Sequence, residues 1–178
     1  MLMDVGLDTG DILLTSEKVI GPDETAGEVF DALANLCPEL LIKTLKALEE
    51  GSITPVKQDN EKATYVSVLK KEMSVIDWTE TASSIHNHIR GMNPWPVART
   101  DFNGKVLKVY SSAVCEEKSS SAEGTVKIKN DSIFVTCAEG TVLRLLEIQL
   151  EGSKRMTSAE FLRGRSFPDG FSFCSEVK

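Results

Sequence analysis

The strongest constraint on the fold is a series of turn residues that divides Ala98–Leu150 into short apolar segments. Asn103-Gly104 is typical of a two-residue hairpin turn, because both residues accept the positive φ angles that such a turn requires. Asn130-Asp131 and Glu139-Gly140 separate the next segments in the same way. Closely spaced strands joined by hairpins predict a small antiparallel barrel or sandwich. We therefore expect an all-β barrel in the second half of the chain, preceded by a short helix that ends at Gly91 and followed by one that a capping box over Thr157–Glu160 opens.

Residues 1–58 predict a different architecture. The apolar run that begins at Ile12 opens a short strand that could continue over Ile12–Ile20. Thr25 and Glu28 have the spacing of a capping box, so we expect a helix to begin there. Pro38 has no amide proton and should interrupt that helix. One strand and two helical pieces predict part of an α/β domain.

Charge is distributed unevenly about Ile53–Lys62, a segment without clear periodicity that we interpret as a linker. Residues 1–62 carry 13 acidic and 5 basic side chains, a formal net charge of −8. Residues 63–178 carry 14 acidic and 15 basic side chains, a formal net charge of +1. An anionic partner is therefore expected to bind the second half, where the basic excess is small for a nucleic-acid-binding domain.

Neither a metal site nor a membrane segment is expected. The cysteines are too far apart for a zinc knuckle or a redox pair, which predicts reduced thiols; they are Cys37, Cys115, Cys137 and Cys174. His86 and His88 are two residues apart and would project from different sides of a helix, so they should not share a metal ion. No apolar stretch approaches the ~18 residues of a membrane span.

Three segments stand out by their order and spacing. The first is Met3–Leu13, which contains Leu-Asp-Thr-Gly; the second is Ile76–Trp78 followed by Ile89–Pro96, which ends in Asn-Pro-Trp-Pro; the third is Phe161–Gly164. Together they resemble bacterial methionyl-tRNA formyltransferases over nearly the whole chain. The Asn-Pro-Trp-Pro segment is the most specific part, because other folate-dependent formyltransferases share the Leu-Asp-Thr-Gly loop.

The resemblance implies both a fold and an activity. Residues 1–58 would be the C-terminal end of a doubly wound catalytic domain with its linker, and residues 59–178 would form an OB-like tRNA-binding domain. The implied reaction transfers a formyl group from 10-formyltetrahydrofolate, the co-substrate, to initiator methionyl-tRNA in translation initiation. The resemblance also implies a cytoplasmic bacterial protein that is monomeric when complete, and it assigns Asp8 as the catalytic carboxylate.

Several motifs of the resembled family have no counterpart in this sequence. These are the Asn-x-His segment, the Ser-Leu-Leu-Pro loop and the folate pocket, and neither His86 nor His88 matches the family's histidine. Formyl transfer passes through a tetrahedral intermediate whose oxyanion needs hydrogen-bond donors. Asp8 alone could organise only water and charge, so we expect this chain to be inactive by itself, as a C-terminal portion of the enzyme.

Basic residues of the predicted strands and of the last predicted helix are candidates for contacts with the tRNA backbone, since barrel domains bind phosphates in basic grooves. The candidates are Lys105, Lys108, Lys127, Lys129, Arg144 and Arg163. A merely solvated sheet face would explain the same pattern. Trp78 and Trp95 likewise allow two interpretations, as platforms for base stacking or as packing residues.

Three other functions are compatible with the sequence. The chain could be a stand-alone nucleic-acid-binding module that does not use the Asp8 loop, and such a module should bind tRNA with a strong salt dependence and little sequence preference. It could be a truncated product without function, whose unpaired sheet edge would favour aggregation. A formyltransferase that acts on nucleotide sugars is a further alternative.

Overall fold

The computed structural model describes residues 1–173, which form two compact units. The first unit consists of Met1–Pro22 and Gly27–Val68. The second consists of Asp23–Ala26 and the chain from Leu69 onward. Cys174 lies outside the described residues.

A single long helix, α1, dominates the first unit and spans Ala26–Glu49. It begins directly after Thr25, as the capping-box spacing predicts. Pro38 lies inside α1, so the predicted interruption is wrong. A proline in a helix removes one amide donor and crowds the preceding turn, but the other hydrogen bonds of a 24-residue helix hold it together on both sides.

The predicted strand over Ile12–Ile20 is also wrong. Only Ile12 pairs, in an isolated antiparallel bridge with Val56 whose two N–H···O distances are 2.8 and 2.9 Å. Leu13 beside it is buried. A strand needs a neighbour for its backbone groups, and the rest of this segment pairs with no other strand among residues 1–173.

Helix α1 leaves most of its large apolar side chains exposed. They include Phe30, Leu33, Leu41, Ile42, Leu45 and Leu48. Part of this surface lines a groove of about 680 Å³ together with Met1, Leu2 and Leu13. Contiguous exposed apolar surface of this kind is typical of a surface that another polypeptide covers.

The second unit is built on a six-stranded antiparallel sheet. Its strands are β1 (Arg99–Phe102), β2 (Lys105–Cys115), β3 (Val126–Lys129), β4 (Ser132–Thr136), β5 (Val142–Leu150) and β6 (Met156–Thr157). The order is β1-β2-β5-β4-β3, and β6 pairs with β5. The predicted turns are confirmed: Asn103-Gly104 joins β1 to β2, Asn130-Asp131 joins β3 to β4, and all four residues have positive φ.

The sheet is open, so the expected closed OB-like barrel is not found. Strands β1 and β3 are the two edges of the described sheet, and they do not pair with each other. Short irregular segments cover them instead: Ile76 donates its amide to the Arg99 carbonyl at 2.8 Å, and Val126 donates to the Phe171 carbonyl at 3.0 Å. Both edges are therefore protected without barrel closure.

Two helices cover the core side of the sheet, and both lie where the sequence predicts them. They are α2 (Ala82–Gly91) and α3 (Ser158–Gly164). Thr81 caps α2 by accepting a hydrogen bond from the Ser84 amide at 3.2 Å. Thr157 and Glu160 form a reciprocal capping box at α3, as the sequence predicts.

Aromatic side chains fill the core between the edges of the sheet. The cluster consists of Trp78, Phe102, Phe161, Phe167, Phe171 and Phe173. Trp78 stacks on Phe173 with ring centroids 5.2 Å apart, and Phe102 meets Phe161 edge-on at 5.6 Å. The buried Trp78 Nε1 donates a 3.0 Å hydrogen bond to the Thr100 hydroxyl. Trp78 is therefore a packing residue and not a platform for base stacking.

Replacing Thr100 by valine should destabilise the second unit, because the shape is retained while the buried indole N–H loses its acceptor. An unsatisfied buried donor costs about 1–3 kcal/mol. Urea unfolding followed by circular dichroism measures the loss. Thr64→Val, at an exposed threonine, is the matched control and should change stability by less than about 0.5 kcal/mol. Equal stability of Thr100→Val and wild type would contradict the assignment.

The α3 cap should make stability depend on pH. Hydrogen bonds from the Thr157 amide and hydroxyl lower the pKa of Glu160, so the folded state favours the charged carboxylate. Its contribution is present above the pKa of the unfolded carboxyl group and is lost as pH falls through the lowered pKa. Glu160→Gln should therefore be less stable than wild type at neutral pH, and the two urea midpoints should converge in acid. A pH-independent difference would rule out this charge effect.

Candidate functional site

Asp8 lies in a tight loop at the start of the first unit, with φ of 56° and an exposed side chain. Gln58 Nε2 donates hydrogen bonds to the carbonyls of Asp8 at 2.8 Å and of Gly10 at 2.7 Å. The Leu2 amide donates to the Asp11 carbonyl at 2.9 Å. Backbone contacts therefore hold the loop, and within residues 1–173 the Asp8 carboxylate itself makes no hydrogen bond.

Gly10 explains why the Leu-Asp-Thr-Gly motif ends in glycine. A Cβ atom at this buried position would lie 1.8 Å from the Leu2 carbonyl oxygen, a distance that no side chain tolerates. The glycine thus lets residues 1–2 cross the loop at close range. Thr9 donates its hydroxyl to Asp4 at 3.1 Å, which fixes the loop on its other side.

The outward face of the sheet carries a first basic group on β1 and β2. Leu107 and Val109 are buried, so the alternate residues of β2 face away from the core. In the sheet register Arg99 pairs with Lys108, and Lys108 pairs with Gln149 of β5. The predicted Lys108 is therefore joined by Arg99, a residue that the sequence analysis missed. The register of the Asn103-Gly104 hairpin could have identified it, because a two-residue turn places these positions opposite each other.

This group lines a cleft of about 640 Å³ that we call the Trp95 cleft. Its charged and aromatic lining residues are Lys71, Trp95, Arg99, Lys108, Tyr110 and Glu151. One wall is the turn formed by Asn93–Pro96, the most specific segment of the family resemblance. Lys71 comes from outside the sheet, and nothing in the sequence pattern places it there.

Some polar side chains of the cleft have hydrogen-bond partners, and one does not. Tyr110 donates its hydroxyl to Gln149 Oε1 at 2.7 Å, and the Arg155 guanidinium lies 4.3 Å from the Tyr110 ring centre. Arg155 also forms a salt bridge with Glu147. In contrast, Arg99 Nε is shielded from solvent and has no hydrogen-bond partner among the described residues.

A second basic group lies across β3, β4 and β5. Lys127 pairs with Phe134, and Phe134 pairs with Arg144, so all three share the outward face. Lys129 forms an exposed salt bridge with Glu117 at 3.6 Å. Together with Lys118, the two predicted lysines line a smaller cleft of about 380 Å³.

Two predicted residues lie apart from both groups. Lys105 is exposed beside the β1–β2 turn and has the strand parity of the buried Leu107 rather than that of Lys108. Arg163 is exposed on α3, a helix that packs on the core side of the sheet. Four of the six predicted basic residues therefore share the outward face of the sheet.

His86 and Cys137 occupy structural positions. His86 contacts Ser112 Oγ through Nδ1 at 3.1 Å and Asp23 through Nε2 at 3.2 Å. Burial raises the pKa of Cys137 to about 12.

Over residues 1–173 no group of three His, Cys, Asp or Glu side chains could hold a metal ion. No helix in that part of the chain is both long enough and apolar enough to cross a membrane.

Residues 68–166 match the family model described as formyl transferase, C-terminal domain. The chain belongs to this family. Among curated relatives, it is 48% identical over 167 residues to a methionyl-tRNA formyltransferase of Clostridium novyi, covering 93% of this chain and 54% of that protein. It is 46% identical over 170 residues to one of Caldanaerobacter subterraneus, covering 96% and 55%. The chain thus spans about half the length of the curated relatives it matches.

Solved structures share the formyltransferase fold. An N-formyltransferase from Helicobacter canadensis, in complex with folinic acid and dTDP-3-aminofucose, gives a TM-score of 0.63 at 19% identity and covers 80% of this chain and 52% of that chain. HypX from Aquifex aeolicus gives 0.63 at 14% identity, with 89% and 29% covered. At these identities the likeness concerns the fold alone. The family resemblance read from the sequence is confirmed.

Proposed function

We propose that this chain is the C-terminal portion of a methionyl-tRNA formyltransferase, which transfers a formyl group from 10-formyltetrahydrofolate to initiator methionyl-tRNA in the bacterial cytoplasm. The observation that carries the proposal is identity of 46–48% with proteins of that name over 93–96% of the chain. The Asp8 loop supports the catalytic part of the proposal, and the basic sheet face supports the tRNA-binding part. The enzyme would act as a monomer.

We assign residues 1–58 to the end of a doubly wound catalytic domain and residues 59–178 to a tRNA-binding domain related to OB barrels. The exposed apolar surface of α1 supports the first assignment, because a solvent-exposed stripe of this size favours a covering partner. The relatives are nearly twice as long as the matched region, and their remaining residues would supply that cover.

Asp8 would act in proton movement during formyl transfer. The methionine amine attacks the formyl carbon, and a proton must pass from that nitrogen to the leaving folate nitrogen. An exposed carboxylate on a loop with a fixed backbone can hold the water or the charge that this step requires. The donors for the oxyanion would come from the remaining part of the catalytic domain.

The outward sheet face would bind the tRNA backbone. Lys108 with Arg99, and Lys127 with Lys129 and Arg144, form two basic groups on the same face, a suitable arrangement for successive phosphates. Lys105 and Arg163 would make contacts at the rim. Helix α1, by comparison, carries four acidic and two basic side chains and is not expected to contact RNA.

Formyl transfer tests the catalytic part of the proposal. The chain alone should be inactive, and mixing it with the preceding segment of the Clostridium novyi relative should restore formylation of methionyl initiator tRNA. Asp8→Asn should reduce the restored rate by about 10²–10⁴-fold, the usual contribution of acid–base groups. Asp31→Asn, at an exposed carboxylate on α1, is the control. Activity of the chain alone, or full activity of Asp8→Asn, would contradict the assignment.

Binding of tRNA at several salt concentrations tests the second part. Each phosphate contact that is lost should reduce the slope of log affinity against log salt by about one. Lys127→Gln and Arg144→Gln should each show this reduction, whereas Lys43→Gln, whose lysine pairs with Glu39 on α1, should not. Unchanged slopes in both sheet variants would exclude this face. Binding without transfer in the mixed assay would instead favour a stand-alone RNA-binding module, which the same basic face supports.

A further inference from the structure

We propose that the Trp95 cleft binds one unpaired nucleotide of RNA, with its base stacked on Trp95 and its phosphate beside Arg99 and Lys108. This inference rests on the proposed tRNA-binding function and specifies the ligand of the basic sheet face. It also assigns a role to the Asn-Pro-Trp-Pro segment, which neither the catalytic loop nor the salt-dependent contacts explain.

Trp95 is available for stacking, whereas the other tryptophan is not. The exposed fraction of Trp95 is 54%, and that of Trp78 is 1%. Pro94 and Pro96 flank Trp95, and their rings restrict the backbone on both sides of it. A restricted backbone reduces the conformational entropy that is lost when a ligand binds. An exposed indole on such a backbone is a suitable platform for bases.

The cleft also supplies a place for a phosphate. Arg99 Nε is buried without a partner among the described residues, and an unsatisfied guanidinium donor is costly. The Arg99 side chain lines the cleft, and an arginine guanidinium binds phosphate with two parallel hydrogen bonds. Lys108 is the direct sheet neighbour of Arg99, and Lys71 adds a third positive charge.

The single carboxylate of the cleft is already engaged. Glu151 Oε2 accepts a 3.2 Å hydrogen bond from the Val106 amide at the end of β2. Three basic side chains against one acidic side chain leave the cleft with an excess of positive charge. This balance favours an anionic ligand.

Neighbouring groups limit the site to one base and give it little sequence preference. The Tyr110 ring already carries the Arg155 guanidinium, so it is not a second platform. The Gln149 amide accepts from Tyr110 and donates to the Ser153 carbonyl at 2.8 Å, so it has little capacity left to read a base edge. Bases of an A-form duplex are stacked inside the helix, and only an unpaired base could reach Trp95.

The test measures binding of the whole chain to a short oligouridylate and to a blunt RNA duplex by fluorescence anisotropy of labelled RNA. Oligouridylate should also quench the emission of the exposed Trp95. Trp95→Ala should lose roughly five- to a hundred-fold in affinity for oligouridylate, the range for one stacked base. Trp95→Phe should retain most of the affinity, because phenylalanine also stacks. Lys108→Gln should weaken binding, and Lys43→Gln, the control on α1 whose lysine pairs with Glu39, should not.

The proposal is overturned if wild type does not bind oligouridylate, if Trp95→Ala binds like wild type, or if the duplex binds as tightly as the single strand. Emission of the buried Trp78 reports whether each variant is folded. Salt-dependent binding of tRNA by wild type together with an unaffected Trp95→Ala would overturn the nucleotide site and leave the proposed function standing. Failure of wild type to bind any RNA would overturn both.

Discussion

Packing of aromatic side chains between two edge strands that do not pair with each other is the interaction on which the second unit depends. Strands β1 and β3 do not meet, so hydrogen bonding alone cannot enclose the core. Trp78, from the segment beside β1, stacks on Phe173, from the segment beside β3. Burial of several rings, each of which removes a large apolar area from water, takes the place of barrel closure. The opposite face of the sheet is then left to carry charge.

That division between faces follows from the alternation of side chains along each strand, with one local change. Strand β2 buries Leu107 and Val109, and its register against β5 then shifts around Ser111, after which Ser112 is buried. A bulge of this kind reverses the parity of the residues that follow. Lys108 and Arg144 can therefore share a face although they lie on opposite sides of this register shift.

Local features of the fold could be predicted from the sequence, and features that need distant partners could not. The Asn103-Gly104 hairpin and the Thr157–Glu160 cap depend on a few neighbouring residues, and both are confirmed. The strand at Ile12–Ile20 and the OB-like barrel depend on which segments meet: the strand does not form, and the sheet does not close. The same limit applies to the tryptophans, because nothing in their local sequence shows that Trp78 is enclosed and Trp95 is not. Arg99 is the instructive case: the hairpin register placed it beside Lys108, but only explicit pairing of the two strands would have revealed it.

The hydrogen bonds of Gln58 couple two parts of the chain that are far apart in sequence. One amide group holds the carbonyls of Asp8 and Gly10 from positions 50 and 48 residues away. The bridge between Ile12 and Val56 lies next to this contact. A displacement of the segment around Gln58 is therefore transmitted to the Asp8 loop across a few ångströms rather than through helix α1. The backbone that carries the Asp8 carboxylate is thus joined directly to the segment around Gln58.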